Sequence, residues 1–390
     1  MKTTIWTYMR DVVDEGPEEC LKTIRERAGV SGISVVATYH AGSFVLPHNP
    51  RRKIWFPEDG ALYFQPDLKL YGSIKPHISN IVDECDPLRT MEEAAGTQKM
   101  MVTAWTVLLH NSTLGSLYPE YTSRNVFGDH LIFALCPSAE ASREYAVALV
   151  RDLTNNHELE TIELETFEFM GYRHGYHHEM AGVEITPIAD FLLSLCFCES
   201  CRERAEDGGG DFDVIREAAR ARLEKFFERA EVQKPLMEEV LELDNITGGG
   251  LKAYLKVRMR TVQSLLAEIK SAADGRASLR PILEHPPEIS PLFGIDLNRL
   301  NEIASEVTVL AYKAGIEETI EYAERYRAAL PKNLQITVGL HGGEPYMDGP
   351  ENFAGKIKGL KAAGFESLSF YNYGFMRLEN LDWIREALRG

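Results

Sequence analysis

Residues 32–39 read GISVVATY. Eight residues rich in Ile, Val and Thr, with no alternating polar face, are the pattern of a strand covered on both sides, and such strands belong to parallel sheets flanked by helices. Working outward, residues 2–8 form a first strand. Gly16-Pro17-Glu18-Glu19 then opens a helix through Ala28, with Pro in the first turn and acids at the positive pole. Further strands are expected at 100–109, 160–167, 278–284, 307–311, 334–340 and 367–371. Helical segments are expected at 87–97, 139–153, 213–231, 251–272, 298–305, 316–328, 352–363 and 381–388. Eight strands, each followed by a helix, predict an α/β chain folded as one (β/α)8 TIM barrel over residues 1–390.

An open doubly wound sheet also alternates, but no G-x-G-x-x-G turn follows the first strand. The glycine runs 208–210 and 248–250 lie between helical segments and read as turns. Long insertions instead follow strands two, three and four, at 41–83, 110–135 and 168–210. In a barrel these fall on the face that carries chemistry. Residues 41–83 hold five prolines and many aromatics, the composition of a lid or functional loop.

The formal net charge of −17 opposes phosphate backbones and anionic lipid surfaces, so no nucleic acid and no membrane partner is expected. No run of about 18 apolar residues is present to span a bilayer. The amino terminus, MKTTIWTYMR, enters β-type residues directly, with none of the apolar core of a signal peptide, and a cytoplasmic location is expected. A homo-oligomer is left open.

Six cysteines are too few for a disulfide framework. Three of them form C-x-C-x-x-C at Cys196, Cys198 and Cys201, and a fourth thiolate would close a tetrahedral structural zinc site. Cys136, in LIFALCPSA, is the candidate for that fourth ligand; the alternative is three small hydrophobes at a helix start.

Cys136, the strand TIELETFEF and Cys196-Phe-Cys198-Glu-Ser-Cys201-Arg together resemble the glycoside hydrolase family 42 β-galactosidases, over about residues 100–205. The resemblance implies a catalytic barrel, a four-thiolate zinc beside the active site, an acid/base Glu ending strand four and a nucleophile ending strand seven. Glu165 is the implied acid/base, chosen for its depth over Glu163 and Glu168, with Leu164 where the family has Asn. Glu344, in GLHGGEP, is the nearest match to the nucleophile, and Glu284, ending strand five, is its substitute.

The chemistry that the resemblance implies needs two carboxyl groups flanking a sugar, one protonated as acid and one ionised as nucleophile or base. Trp6, Tyr39, His40, Trp105, His110, Asn111, Tyr371 and Asn372 fall at or near strand ends, where rings stack on sugars and amides read hydroxyls; core packing is the competing role for each. His174, with His177, His178 and Glu179, forms HGYHHE, assigned to substrate binding or loop hydrogen bonds because it lacks H-E-x-x-H spacing. In the lid, Arg51 and Arg52 could meet an acidic sugar or pair with Glu58 and Asp59. The expected function is a hydrolase of carbohydrate metabolism, a glycosidase acting on a small-molecule or oligosaccharide substrate. The alternatives are a metal-dependent hydrolase or isomerase using the histidine loop, and a non-catalytic carbohydrate-binding barrel.

Overall fold

The computed structural model describes residues 1–83, 85–174, 180–206, 208, 211–230, 232–347 and 349–390. Eight parallel strands close on themselves: β1 (Lys2–Thr7), β2 (Gly32–Tyr39), β3 (Met101–Val107), β4 (Thr161–Glu165), β5 (Ser278–Leu283), β6 (Glu306–Leu310), β7 (Gln335–His341) and β8 (Ser367–Tyr371). β1 pairs with both β2 and β8, so the sheet has no seam. This is the (β/α)8 barrel that the alternation predicts.

Period-two alternation sorts the residues of each strand. On β4, Ile162 and Leu164 belong to the apolar core, while Glu163 and Glu165 share the opposite face. The barrel interior is polar in its middle layer. Glu163 accepts from Trp6 Nε1 at 2.8 Å, from Arg280 Nη2 at 3.0 Å and Nε at 3.2 Å, and from Thr308 Oγ1 at 3.2 Å; the Ser34 hydroxyl also donates to it. These groups come from β1, β2, β4, β5 and β6, so one carboxylate cross-links five strands. A buried charge is tolerated only with such pairing.

Several elements differ from expectation, among them three helices within and after the 168–210 insertion, Pro187–Ser194, Glu199–Glu206 and Leu236–Ile246. The first helix begins earlier, at Met9–Glu15, and resumes at Pro17–Thr23 after Gly16, whose φ of +86° suits glycine alone. Between β5 and β6 there is no α-helix but two short 3-10 turns, Ser290–Phe293 and Leu297–Glu302. Pro291 and Gly294 break the helical run there, and Gly294 (φ +92°) lets the chain pass close to the helix Gly250–Ala273.

The insertions lie beyond the carboxyl ends of their strands. Within 41–83, Ala61–Leu62 adds antiparallel to the end of β2 at Thr38 and Tyr39. The 110–135 segment holds a helix, Ser112–Leu117, and a hairpin of Thr122–Arg124 with His130–Leu135 that runs into Cys136. Among the described residues no helix is long and apolar enough to cross a membrane.

Candidate active site

At the carboxyl end of β4 the chain turns through Thr166, a β-branched residue held at φ +54°. That conformation is unfavourable for such a side chain, by about 1–3 kcal/mol, and is kept only where surrounding bonds fix it. Here the Leu109 N–H donates to the Thr166 carbonyl at 3.1 Å, and the Leu108 N–H donates to the Glu165 carbonyl at 2.9 Å. The turn holds Glu165 at the top of the barrel, where Trp105 Nε1 donates to its Oε2.

Glu284 follows the last residue of β5, and its carboxyl hydrogen-bonds Glu165. Burial pushes Glu284 up to about 7, and the bond from Glu165 acts against that shift by favouring its anion. Glu168, buried three residues beyond Glu165, is raised well above the ordinary carboxylate range, first by burial and then by Glu284 and Glu165. Its Oε1 lies 3.8 Å from His285 Nε2, and the His285 ring stacks on Phe293 at 3.8 Å. Three carboxyl groups thus share one low-dielectric corner, and they cannot all ionise together near neutral pH.

Aromatic rings wall this corner. The Tyr8 and Tyr371 hydroxyls are 2.7 Å apart, and burial raises both phenols, Tyr371 to about 12. Tyr39 packs edge-on to Tyr8 and Trp105, and Tyr312 packs against Tyr371 and His341. Burial lowers His341, favouring the neutral imidazole. Tyr8, Tyr312, His285 and His341 were not among the sequence candidates, although each lies within two residues of a strand end, the rule that selected Tyr39 and Tyr371.

The remaining candidates are placed as follows. Trp6 is buried below the mouth, bonded to Glu163. His40 stacks between Tyr39 and His110, each at 4.2 Å. Asn111 is a buried helix cap, accepting from the Leu114 N–H at 2.8 Å and donating to the Gly60 carbonyl at 3.0 Å. Asn372 is buried, accepting from the Gly374 N–H at 3.0 Å. His174 ends a 3-10 turn, while its side chain, like His177, His178 and Glu179, lies outside the described residues. Glu344 is not brought to Glu165: its side chain is 78% exposed, in an ion pair of 3.6 Å with Arg377. In the lid, Arg52 pairs with Asp14, while Glu58 accepts from Ser79.

Beside the site, Cys136, Cys196, Cys198 and Cys201 are buried together. The Cys136 sulfur stands 3.7, 3.7 and 3.6 Å from the other three, and all four lie within 4.8 Å of one another. A tetrahedron with metal–sulfur bonds of about 2.3 Å has edges of about 3.8 Å. A disulfide would need about 2.05 Å. The donor set and its spacing fit a divalent metal.

No protein-family model and no curated protein matches this sequence. Solved structures do match its fold. One is alpha-L-fucosidase isoenzyme 2 from Paenibacillus thiaminolyticus, at TM-score 0.57 and 12% identity, over 100% of this chain and 49% of that one. Two others are covered almost end to end. The PgaB (BpsB) glycoside hydrolase domain from Bordetella bronchiseptica matches at TM-score 0.58 and 13% identity, over 100% and 98% of the two chains. The catalytic domain of beta-amylase from Paenibacillus polymyxa matches at 0.58 and 10%, over 99% and 97%. The protein thus has the barrel fold of these glycoside-cleaving enzymes, while spanning about half the length of the fucosidase.

Proposed function

We propose that the protein is a glycosidase in which Glu165 is the general acid/base and Glu284 the partner carboxylate. The hydrogen-bonded Glu165–Glu284 pair at the barrel mouth carries this reading. One group holding the proton while the other is ionised is the division of labour that glycosidic cleavage requires. Glu165, with Trp105 donating to one oxygen, has the arrangement of a carboxylic acid ready to protonate a leaving oxygen. Glu284, whose anion the bond from Glu165 supports against the larger upward push of burial, attacks the anomeric carbon or activates water. Tyr39, Tyr371 and Tyr312 offer ring edges and hydroxyls to the sugar.

The four cysteines are proposed to hold one structural zinc, which when bound would tie the end of the 110–135 segment to the 168–210 insertion. Support comes from the sulfur spacing and from the family 42 resemblance of Cys136 and the C-x-C-x-x-C run.

The test is turnover of a glycoside panel by wild type and by Glu165→Gln. The substitution keeps size but removes the transferable proton, so activity on poor leaving groups should fall at least ~10²-fold with folding intact. Wild-type turnover in the variant, or no reaction with any glycoside, would overturn the assignment.

A further inference from the structure

The helix Gly250–Ala273 carries a cation that the proposed chemistry does not use. Arg258 is 1% exposed, and none of its Nε, Nη1 or Nη2 reaches a hydrogen-bond acceptor among the described residues. The guanidinium lies over the Phe169 ring, 4.3 Å from its centroid, a favourable cation–π contact. A ring face alone does not offset the cost of desolvating an unpaired ion. Burial works against its charge, and the acidic groups near enough to offset that are Tyr254, Cys201, Cys196 and Cys136. Tyr254, one turn earlier on the same helix, donates to the Cys196 carbonyl.

Four neutral thiols would give this cation no counter-charge. Four thiolates around a divalent ion leave a net charge of minus two. We infer that Arg258 is the built-in counter-cation of the metal–tetrathiolate centre, and a positioning residue that ties this centre to the carboxylate corner. The inference rests on the zinc reading above.

The tie runs through packed groups. Phe169, beneath the guanidinium, follows Glu168 in the chain, and its N–H donates to the Phe293 carbonyl at 3.0 Å. Phe293 stacks on His285, which faces Glu168. Gly294 presses on the same helix, where an added Cβ would stand 3.2 Å from the Arg258 carbonyl oxygen. The cation therefore sits where the sulfur cluster, the loop after β4 and the loop after β5 converge.

The experiment compares zinc release from wild type, Arg258→Met and Arg258→Lys to an excess of a colorimetric chelator, with folding checked by circular dichroism. Arg258→Met keeps the length and removes the charge, and should release zinc at least tenfold faster; Arg258→Lys should stay near wild type. Equal release rates in wild type and Arg258→Met, or equally fast release from both variants, would overturn the counter-charge. Hydrogen exchange on wild type, with and without zinc, keeps the test open should Arg258→Met not fold. Zinc removal should expose amides at Phe169, Phe293 and Gly294 as well as around Cys196–Cys201, and unchanged protection at the first three would overturn the tie. Wild type that neither carries nor takes up zinc would overturn the metal reading itself; zinc-bearing wild type indifferent to Arg258 would overturn this inference alone.

Discussion

Trp105 on β3 donates its indole N–H to Glu165 on β4, one layer above the place where Trp6 on β1 donates to Glu163. The two glutamates are two residues apart on one strand face and each takes an indole proton, yet their other partners differ. Glu163 meets the Arg280 guanidinium at 3.0 Å in a buried ion pair, whereas Glu165 meets Glu284, another carboxyl group. The layer in which a carboxylate sits decides whether it builds the barrel or does chemistry.

The choice of second carboxylate is testable by a pair of variants. Glu284→Gln should lower kcat by about 10²-fold or more, because it removes the anion opposite the acid. Glu344→Gln should stay within a few-fold of wild type, since Glu344 is exposed and pairs with Arg377 at the rim. Kinetics on one active glycoside would check both, and the reverse ranking would return the role to Glu344.

Glu163→Ala should unfold the protein more easily without acting through the chemistry. It removes the closer of the two carboxylates that the Arg280 guanidinium, 1% exposed inside the barrel, pairs with, and leaves Glu306 at 3.4 Å as the other. Breaking a buried pair from one side costs about 3–5 kcal/mol. Urea denaturation should show that loss, while Glu165→Gln should cost far less.

A second prediction on stability concerns pH. Asp11 is fully buried, accepts from Asn49 of the lid at 3.2 Å, and is pushed up to about 7, chiefly by burial, with Glu15 and Asp14 adding to it. In the unfolded chain an Asp titrates near 3.9. The folded state therefore keeps a proton that the unfolded state has lost. Its contribution is fully present below about pH 4 and is lost as pH rises through 7. Asp11→Asn cannot ionise, so its Tm relative to wild type should climb by several degrees between pH 5 and pH 8. A constant difference across that window would refute the assignment.

Metal content checks the sulfur site. Wild type should contain about one zinc per chain by elemental analysis. Cys198→Ser should lose it together with several degrees of Tm, because metal binding energy is folding energy here.

The barrel was legible because GISVVATY and its counterparts advertise burial on both faces, and the sulfur site because C-x-C-x-x-C limits the chemistry of its residues. Period two told which face Glu163 and Glu165 share but not which layer each occupies; layer depends on the stagger of neighbouring strands, which only the closed barrel sets. Glu284 and Glu344 could not be ranked for a related reason. Glu284 leaves β5 directly, whereas Gly342 and Gly343 carry Glu344 away from the end of β7. Tyr8 and Tyr312 were within reach of the strand-end rule. Arg258 was not, because an Arg on an amphipathic helix reads as a solvated charge until its neighbours are known.

The sulfur cluster also has a topological effect. Cys136 and Cys196 are 60 residues apart, and the segment between them contains the helix Glu140–Asn156 and all of β4. Four thiolates on one ion would make that segment a closed ring, with the strand that bears Glu163 and Glu165 threaded into the barrel as part of its circumference. Sliding β4 by one residue would turn both glutamates outward, and a ring pinned at both ends resists such a slide where an open chain would not. The metal would then act as a register lock, and chelation should make this strand, of the eight, the first to lose its alignment.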